Sequence, residues 1–194
     1  MTVRPLVHVG DPVLRVPTAP VSPDDLASPA VQGLIDDLVD TMRAARGAGI
    51  AAPQVGSSLR IAVAEVRPDT THERYPYKPP IPLTIMVNPT LRAIGDEVTA
   101  INEGCLSVPG LRGEVDRHVE VEVAWHDRAG EAHVARMRGV TAGTFQHECD
   151  HLDGRLFLDR VTDPTTFTTW DNYARHHREA FEQRMHDYVA RVGS

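Results

Sequence analysis

The chain has 194 residues, 24% charged and 41% hydrophobic, with a formal net charge of −7. That length suits one domain with a substantial core, and the acidic balance excludes a general nucleic-acid binder, which needs clustered Lys and Arg. No run of about 18 apolar residues offers a membrane span, and two cysteines, Cys105 and Cys149, do not make a secreted disulfide framework.

The start, Met1-Thr2-Val3-Arg4-Pro5, lacks the apolar core of a signal peptide, and no Arg-rich leader precedes the domain, so the expected location is cytoplasmic. Residues 7–15 are punctuated by turn formers, and prolines continue to Pro29, which reads as an extended arm around the domain. A helix follows: Ser28 is a good N-cap, Pro29 suits the first helical position, and Val31, Leu34, Ile35, Leu38, Val39 and Met42 recur at three- and four-residue intervals. Gly47 is placed to stop it. Asp36, Asp37, Asp40 and Arg43 fall on the other side, as on a core-covering amphipathic helix.

Residues 47–56, Gly-Ala-Gly-Ile-Ala-Ala-Pro-Gln-Val-Gly, let backbone approach something closely, and Gln54 can donate hydrogen bonds there. A tight loop of structural glycines explains the run about as well. Stretches 59–65, 81–88 and 97–102 read as strands, with a long Pro-rich loop holding Tyr75 and Tyr77 between the first two. Val115, Val119, Val121, Val123 and Trp125 share one parity of a further strand, which turns at 127–130 into 131–138. Strands first and a helix after them point to α+β with mainly antiparallel sheets.

The chemistry gathers in Gln146-His147-Glu148-Cys149-Asp150-His151. On a helix His147 and His151 stack on one face and can meet one cation, while Glu148, about 100° round, can reach a water on that cation. This His-Glu-x-x-His spacing is that of metal sites with Glu as general base, set against chance occurrence among ten His. Small and apolar residues from Val140 lead in, and Gly154 is placed to end the helix. A catalytic divalent metal takes three protein ligands and keeps a position open, so a third ligand must come from elsewhere.

Glu103-Gly104-Cys105-Leu106-Ser107 supplies a thiol among turn residues, a good zinc or iron ligand. Taken alone, Cys105 reads first as a buried core cysteine. A nucleophile with His147 as base is a further reading, which leaves the His-Glu-x-x-His spacing without a purpose. Cys149 lies two residues from each His and points away from them, as a small buried residue behind the helix.

In order and spacing, segments 47–54, 103–107 and 146–151 resemble the three signature motifs of peptide deformylases, over about 7–160, and Asp11-Pro12-Val13-Leu14-Arg15 and Asn88-Pro89 fit too. The resemblance implies antiparallel β-sheets packed around a central metal-binding helix in one domain over 1–194, with a core of about 7–160 and a C-terminal helical extension of about 165–190. It implies hydrolysis of the formyl group from N-formylmethionine of newly synthesised proteins, releasing formate. Cys105, His147 and His151 then hold one divalent metal, Fe2+ in the cell, with Zn2+, Ni2+ or Co2+ able to replace it in purified protein. Glu148 is the implied base, and the Gln54 side chain and the Leu106 backbone N–H are the implied donors to the oxyanion.

Ala48, Gly49, Ile50 and Gly104 are expected along the peptide backbone, and Val140, Gly143 and Thr144 along the methionine pocket. The family commonly carries larger apolar residues in that last stretch, so Gly143 and Thr144 depart from its pattern and leave the pocket's size and polarity open. Glu103 and Arg112 read either as an ion pair fixing the ligand loop or as two solvated charges.

Beyond Arg160 the resemblance fades. Residues 170–189 read as one terminal helix with Trp170, Tyr173, Phe181, Met185 and Tyr188 on a stripe. Four Arg and four acids cancel from 170 to 194, so charge lends no support to a ribosome-binding tail, and packing on the domain body or a second subunit is the expectation. Expected partners are a formylated nascent polypeptide and, transiently, the ribosome, with no DNA and no membrane, in a monomer or homodimer. Two other readings stand beside this one. A metallopeptidase leaves Cys105 and Gln54 unexplained, and an inactive paralogue serving as a ribosome-associated module is expected to have lost Glu148, Gln54 or a ligand.

Overall fold

Two antiparallel sheets flank one buried helix in the computed structural model, which describes residues 2–68, 75 and 77–193. The larger sheet has the order β1-β2-β3-β6-β7, from Gly49–Ala51 (β1), Ile61–Val66 (β2), Ile81–Ala93 (β3), Glu120–His126 (β6) and Ala132–Arg138 (β7). The smaller has the order β4-β5-β8, from Val98–Cys105, Val108–His118 and Thr168–Thr169. β1 and β4 are therefore edge strands, and both border the same cleft. The Pro-rich loop expected between stretches 59–65 and 81–88 lies partly outside the described residues.

Alternation along β2 explains how helices sit on both faces of the larger sheet. Ile61 and Val63 pack with Val31, Leu34, Ile35, Leu38 and Met42 of α2 (Pro29–Ala44), following α1 (Pro23–Leu26). Ala62 and Ala64 point the other way, toward Ala142, Phe145 and Leu152 of α3 (Gly139–Leu152). Small side chains on that face let α3 lie close to the sheet. Thirteen of its fourteen residues are buried, and the exception is His147.

Helix ends follow capping chemistry. Ser28 accepts from Val31 N, as expected. The C-terminus of α2 differs from expectation: Arg46, at φ 53°, takes the left-handed position, and Gly47 N bonds back to Met42 O. Gly47 is needed for space instead, because a Cβ there would lie 3.1 Å from Leu106 Cδ1. α3 ends as expected at Gly154, at φ 73°, with Arg155 N on Asp150 O.

Three further expectations change. The stripe from Val115 to Trp125 is two strands in different sheets, because Gln146 of α3 bonds both His118 N and His118 O and ends the ladder there. The terminal helix is two, α4 (Trp170–His176) and α5 (Arg178–Val192), broken at His177. On an unbroken helix Tyr173 would lie about 80° from Phe181, and the break brings their rings to 6.1 Å within one core cluster. The N-terminal arm holds a 3-10 turn at Pro12–Arg15 as well as α1, and it docks through Val7 N on Gln54 O and Val9 N on Ser107 O. No helix among the described residues is long and apolar enough to cross a membrane.

Candidate active site

Three side chains from two elements converge where β4 ends against α3. Cys105 sits where the β4–β5 ladder shifts register, a device that re-aims side chains near sites. Its Sγ lies 3.2 Å from His151 Nε2, and the His147 and His151 rings meet edge to face at 4.9 Å. One ligand atom from each of the three lies within 4.8 Å of the others. A tetrahedral ion with bonds of about 2.0–2.3 Å would draw such atoms to about 3.5 Å.

The surroundings suit a cation. His147 Nδ1 is 2.8 Å from Glu103 Oε2, which leaves Nε2 for a metal. Burial holds the His151 imidazole well below its usual pKa, favouring the neutral form a ligand requires. Ser107 N donates to Cys105 Sγ at 3.3 Å, and Gln54 Nε2 approaches the same sulfur at 3.5 Å. Burial pushes the Glu148 carboxyl up to about 7, and its Oε2 has no hydrogen-bond partner. An orphaned buried carboxylate oxygen beside three converging donors fits a bound ion with a water.

Behind the ligands runs a buried ionic chain. Arg117 makes a two-pronged pair with Glu103, at 2.7 and 2.9 Å, and reaches Asp150 at 2.6 Å, which also receives Arg160 at 2.6 Å. Burial alone would raise the Glu103 carboxyl, but Arg117 and His147 hold it well below the usual carboxylate range. The suggested Glu103–Arg112 pair is thus corrected. Glu103 stands opposite Gly113, on the face that Val115 and Arg117 share, whereas Arg112 stands opposite Gly104 on the other face.

The cleft is lined on one side by Gly47, Ala48, Gly49 and Gln54, and on the other by Gly104, Cys105 and Leu106, with Val140, Gly143, Thr144, His147 and Glu148 between. Ile50 turns its side chain fully under α2, so only its backbone is left to meet a peptide. Gly143 lies against Ile101, whose Cδ1 a Cβ there would meet at 2.7 Å, so a larger residue needs that side chain to turn aside. Thr144 accepts from Lys78 Nζ at 2.8 Å, which makes this wall polar. Cys149 sits behind α3 as expected, and burial pushes its thiol up to about 12.

The family model for polypeptide deformylase matches residues 3–167. The chain belongs to the peptide deformylase family. Peptide deformylase 2 of Nostoc sp. is 41% identical over 169 residues, 87% of this chain and 92% of that protein. Peptide deformylase 1 of Bordetella pertussis is 41% identical over 165 residues, 85% of this chain and 91% of that one. The class I type b peptide deformylase of Acinetobacter baumannii with Met-Ala-Ser bound superposes with a TM-score of 0.78 at 39% identity, covering 82% of this chain and 99% of that one. A Synechococcus elongatus peptide deformylase in complex with actinonin gives 0.72 at 30% identity, covering 98% and 86%. This chain is an enzyme of that kind, a metal-dependent hydrolase acting on the formyl group of N-formylmethionine in nascent polypeptides.

Several residues of this deformylase cleft were not singled out from sequence. Ile101, Asn102, Tyr77 and Lys78 line it, and Arg117 and Asp150 stand behind the ligands. Arg117 carried one signal, a charge at the parity of the Val115 and Val119 stripe, which marks it as buried without naming its partner. The others depend on packing between distant segments.

Proposed function

We propose that Cys105, His147 and His151 hold one divalent ion, that Glu148 is the general base, and that Gln54 Nε2 and Leu106 N–H stabilise the oxyanion. The single observation behind this is the meeting of the thiol with both imidazoles at one end of a cleft between two edge strands, with the orphaned Glu148 oxygen beside them. An ion held by Cys105, His147 and His151 would supply Lewis acidity and acidify the attacking water. Glu148 takes the proton of that water as it adds to the formyl carbon, then gives it to the departing amine, leaving formate and a free N-terminus. Gln54, anchored by Ala51 N on its Oε1 at 2.9 Å, holds its Nε2 beside Cys105 Sγ at 3.5 Å and Ser107 Oγ at 3.2 Å, from where it would turn to the developing oxyanion.

Substrate is held as an added strand. Backbone of Gly49 and Ile50 on β1, of Ala48 just before it and of Gly104 on β4 pairs with the peptide, so sequences beyond the first residue are tolerated. The Acinetobacter relative solved with Met-Ala-Ser supports a tripeptide-length site. Val140, Gly143 and Thr144 receive the methionine side chain, with Lys78 and Thr144 giving the pocket a polar edge.

Iron is the proposed metal in the cell. Thiolate and imidazole suit Fe2+ and Zn2+ alike, and zinc, nickel or cobalt binds at least as tightly once purification exposes the site. The chain works in the cytoplasm as one domain over 1–194, with a core of about 7–160 and an extension of about 165–190, meeting nascent chains transiently at the ribosome. Described residues of a single chain line the cleft, which supports a monomer, with a homodimer as the alternative.

Formate release from formyl-Met-Ala-Ser tests the roles. Glu148→Ala is expected to lose about 10²- to 10⁴-fold in kcat with its metal retained. Equal rates would remove Glu148 from its role, and cleavage of the Met-Ala bond would favour a metallopeptidase. Protein purified without oxygen is expected to carry about one iron per chain, read by elemental analysis.

A further inference from the structure

The C-terminal helices pack against residues that line the cleft, although the family match ends at residue 167. β8 pairs with Leu111 and Arg112 and runs directly into Trp170. The rings of Trp170 and Tyr173 both close on the Arg112 guanidinium, with centroids 4.2 and 4.3 Å from its central carbon. Arg112 is only 2% exposed, so its charge depends on those ring faces as well as on hydrogen bonds.

The hydrogen bonds grip β4. Arg112 Nε donates to Asn102 Oδ1 at 2.6 Å, and Nη2 donates to the Asn102 carbonyl at 2.7 Å, three residues before Cys105. Gly104 lies opposite Arg112 in the ladder, and a Cβ on it would sit 3.2 Å from Trp170 Cζ2 and 3.4 Å from Arg112 Cγ. The stretch of β4 that lines the cleft is thus flanked by Arg112, which also borders the cleft, and backed by Trp170, which does not. Across the same cluster, Phe181 of α5 meets the cleft residue Tyr77 edge-on at 5.0 Å.

We propose that this clamp makes the C-terminal segment part of the substrate-binding apparatus: Trp170, acting through Arg112, positions the β4 edge at Gly104 against which the peptide backbone pairs. The inference rests on the reading of the cleft as a deformylase site with peptide added to that edge. Trp170 and Arg112 are positioning residues, since neither needs to touch the reacting atoms. Loosening the edge weakens peptide pairing but leaves Cys105, anchored by Ser107 and His151, in place.

Steady-state kinetics on formyl-Met-Ala-Ser, with metal per chain and thermal midpoint, test this on the full chain. Trp170→Ala is expected to raise KM about tenfold while kcat and metal content stay within about twofold. Trp170→Phe should recover most of the loss, because one ring face returns. Arg112→Lys, which keeps the charge but loses the fork, should raise KM similarly and serves if the alanine variant does not fold. Unchanged KM in these variants overturns the proposal, as does a joint fall of kcat, metal content and midpoint, the mark of general structural support. A wild-type chain that releases no formate instead defeats the deformylase reading itself and this inference with it.

Discussion

Gly49 is where the first and third motifs meet. A Cβ built on it would lie 2.2 Å from Glu148 Oε1 and 2.6 Å from Cδ, a distance no side chain tolerates. The glycine run was legible as backbone approaching something closely, and the thing approached is the enzyme's own carboxylate. Glu148 borders the cleft, so an alanine at 49 would push its carboxylate off the place from which it acts. Gly49→Ala is therefore expected to lower kcat by about tenfold or more with metal content unchanged. An alanine variant turning over at the wild-type rate would mean that β1 does not fix the base.

Strands and helices follow local chemistry until another element intervenes. The stripe of α2 is read directly from spacing, yet the N-terminal arm is held by residues on its polar side: Arg4 Nε pairs with Asp37 Oδ2 at 2.8 Å, Thr2 N donates to Asp37 Oδ1, and Arg4 N donates to Thr41 Oγ1. The Arg4 hydrogen bond holds the Asp37 carboxyl below its usual range. A carboxyl depressed in the native state favours folding above its unfolded pKa, and that contribution fades as pH falls through the native value. Amide protection at Thr2 and Arg4 is thus expected near neutrality and to weaken below about pH 4. Hydrogen exchange reads it, and equal protection at pH 3 would show that the carboxylate is not what holds the arm.

Across the molecule, Arg117 joins the smaller sheet to the metal helix. It is 3% exposed and neutralises Glu103 and Asp150, which lie on different elements, while Glu103 in turn orients His147. Removing it leaves two carboxylates buried with too little charge to answer them. Arg117→Met is expected to cost about 3–5 kcal/mol in urea unfolding. It should also weaken metal binding about 10- to 100-fold in chelator competition, because Glu103 loses its hold. A variant matching wild type in both would reduce the chain of charges to a bystander.

The sequence alone determined what local periodicity can carry: α2 with its Ser28 cap, the i and i+4 stacking of His147 and His151, and the need for a third ligand, with Cys105 as one candidate. Those features arise within one or two helical turns, where spacing sets direction. Tertiary structure decided the rest: that Glu103 turns to Arg117 and not Arg112, that Gly143 makes way for Ile101, that one valine stripe serves two sheets, and that Trp170 stands behind Gly104. Each depends on the register of one strand against another or on segments far apart in the chain. Such contacts are selected by the packing of the whole core, which no short window of residues contains.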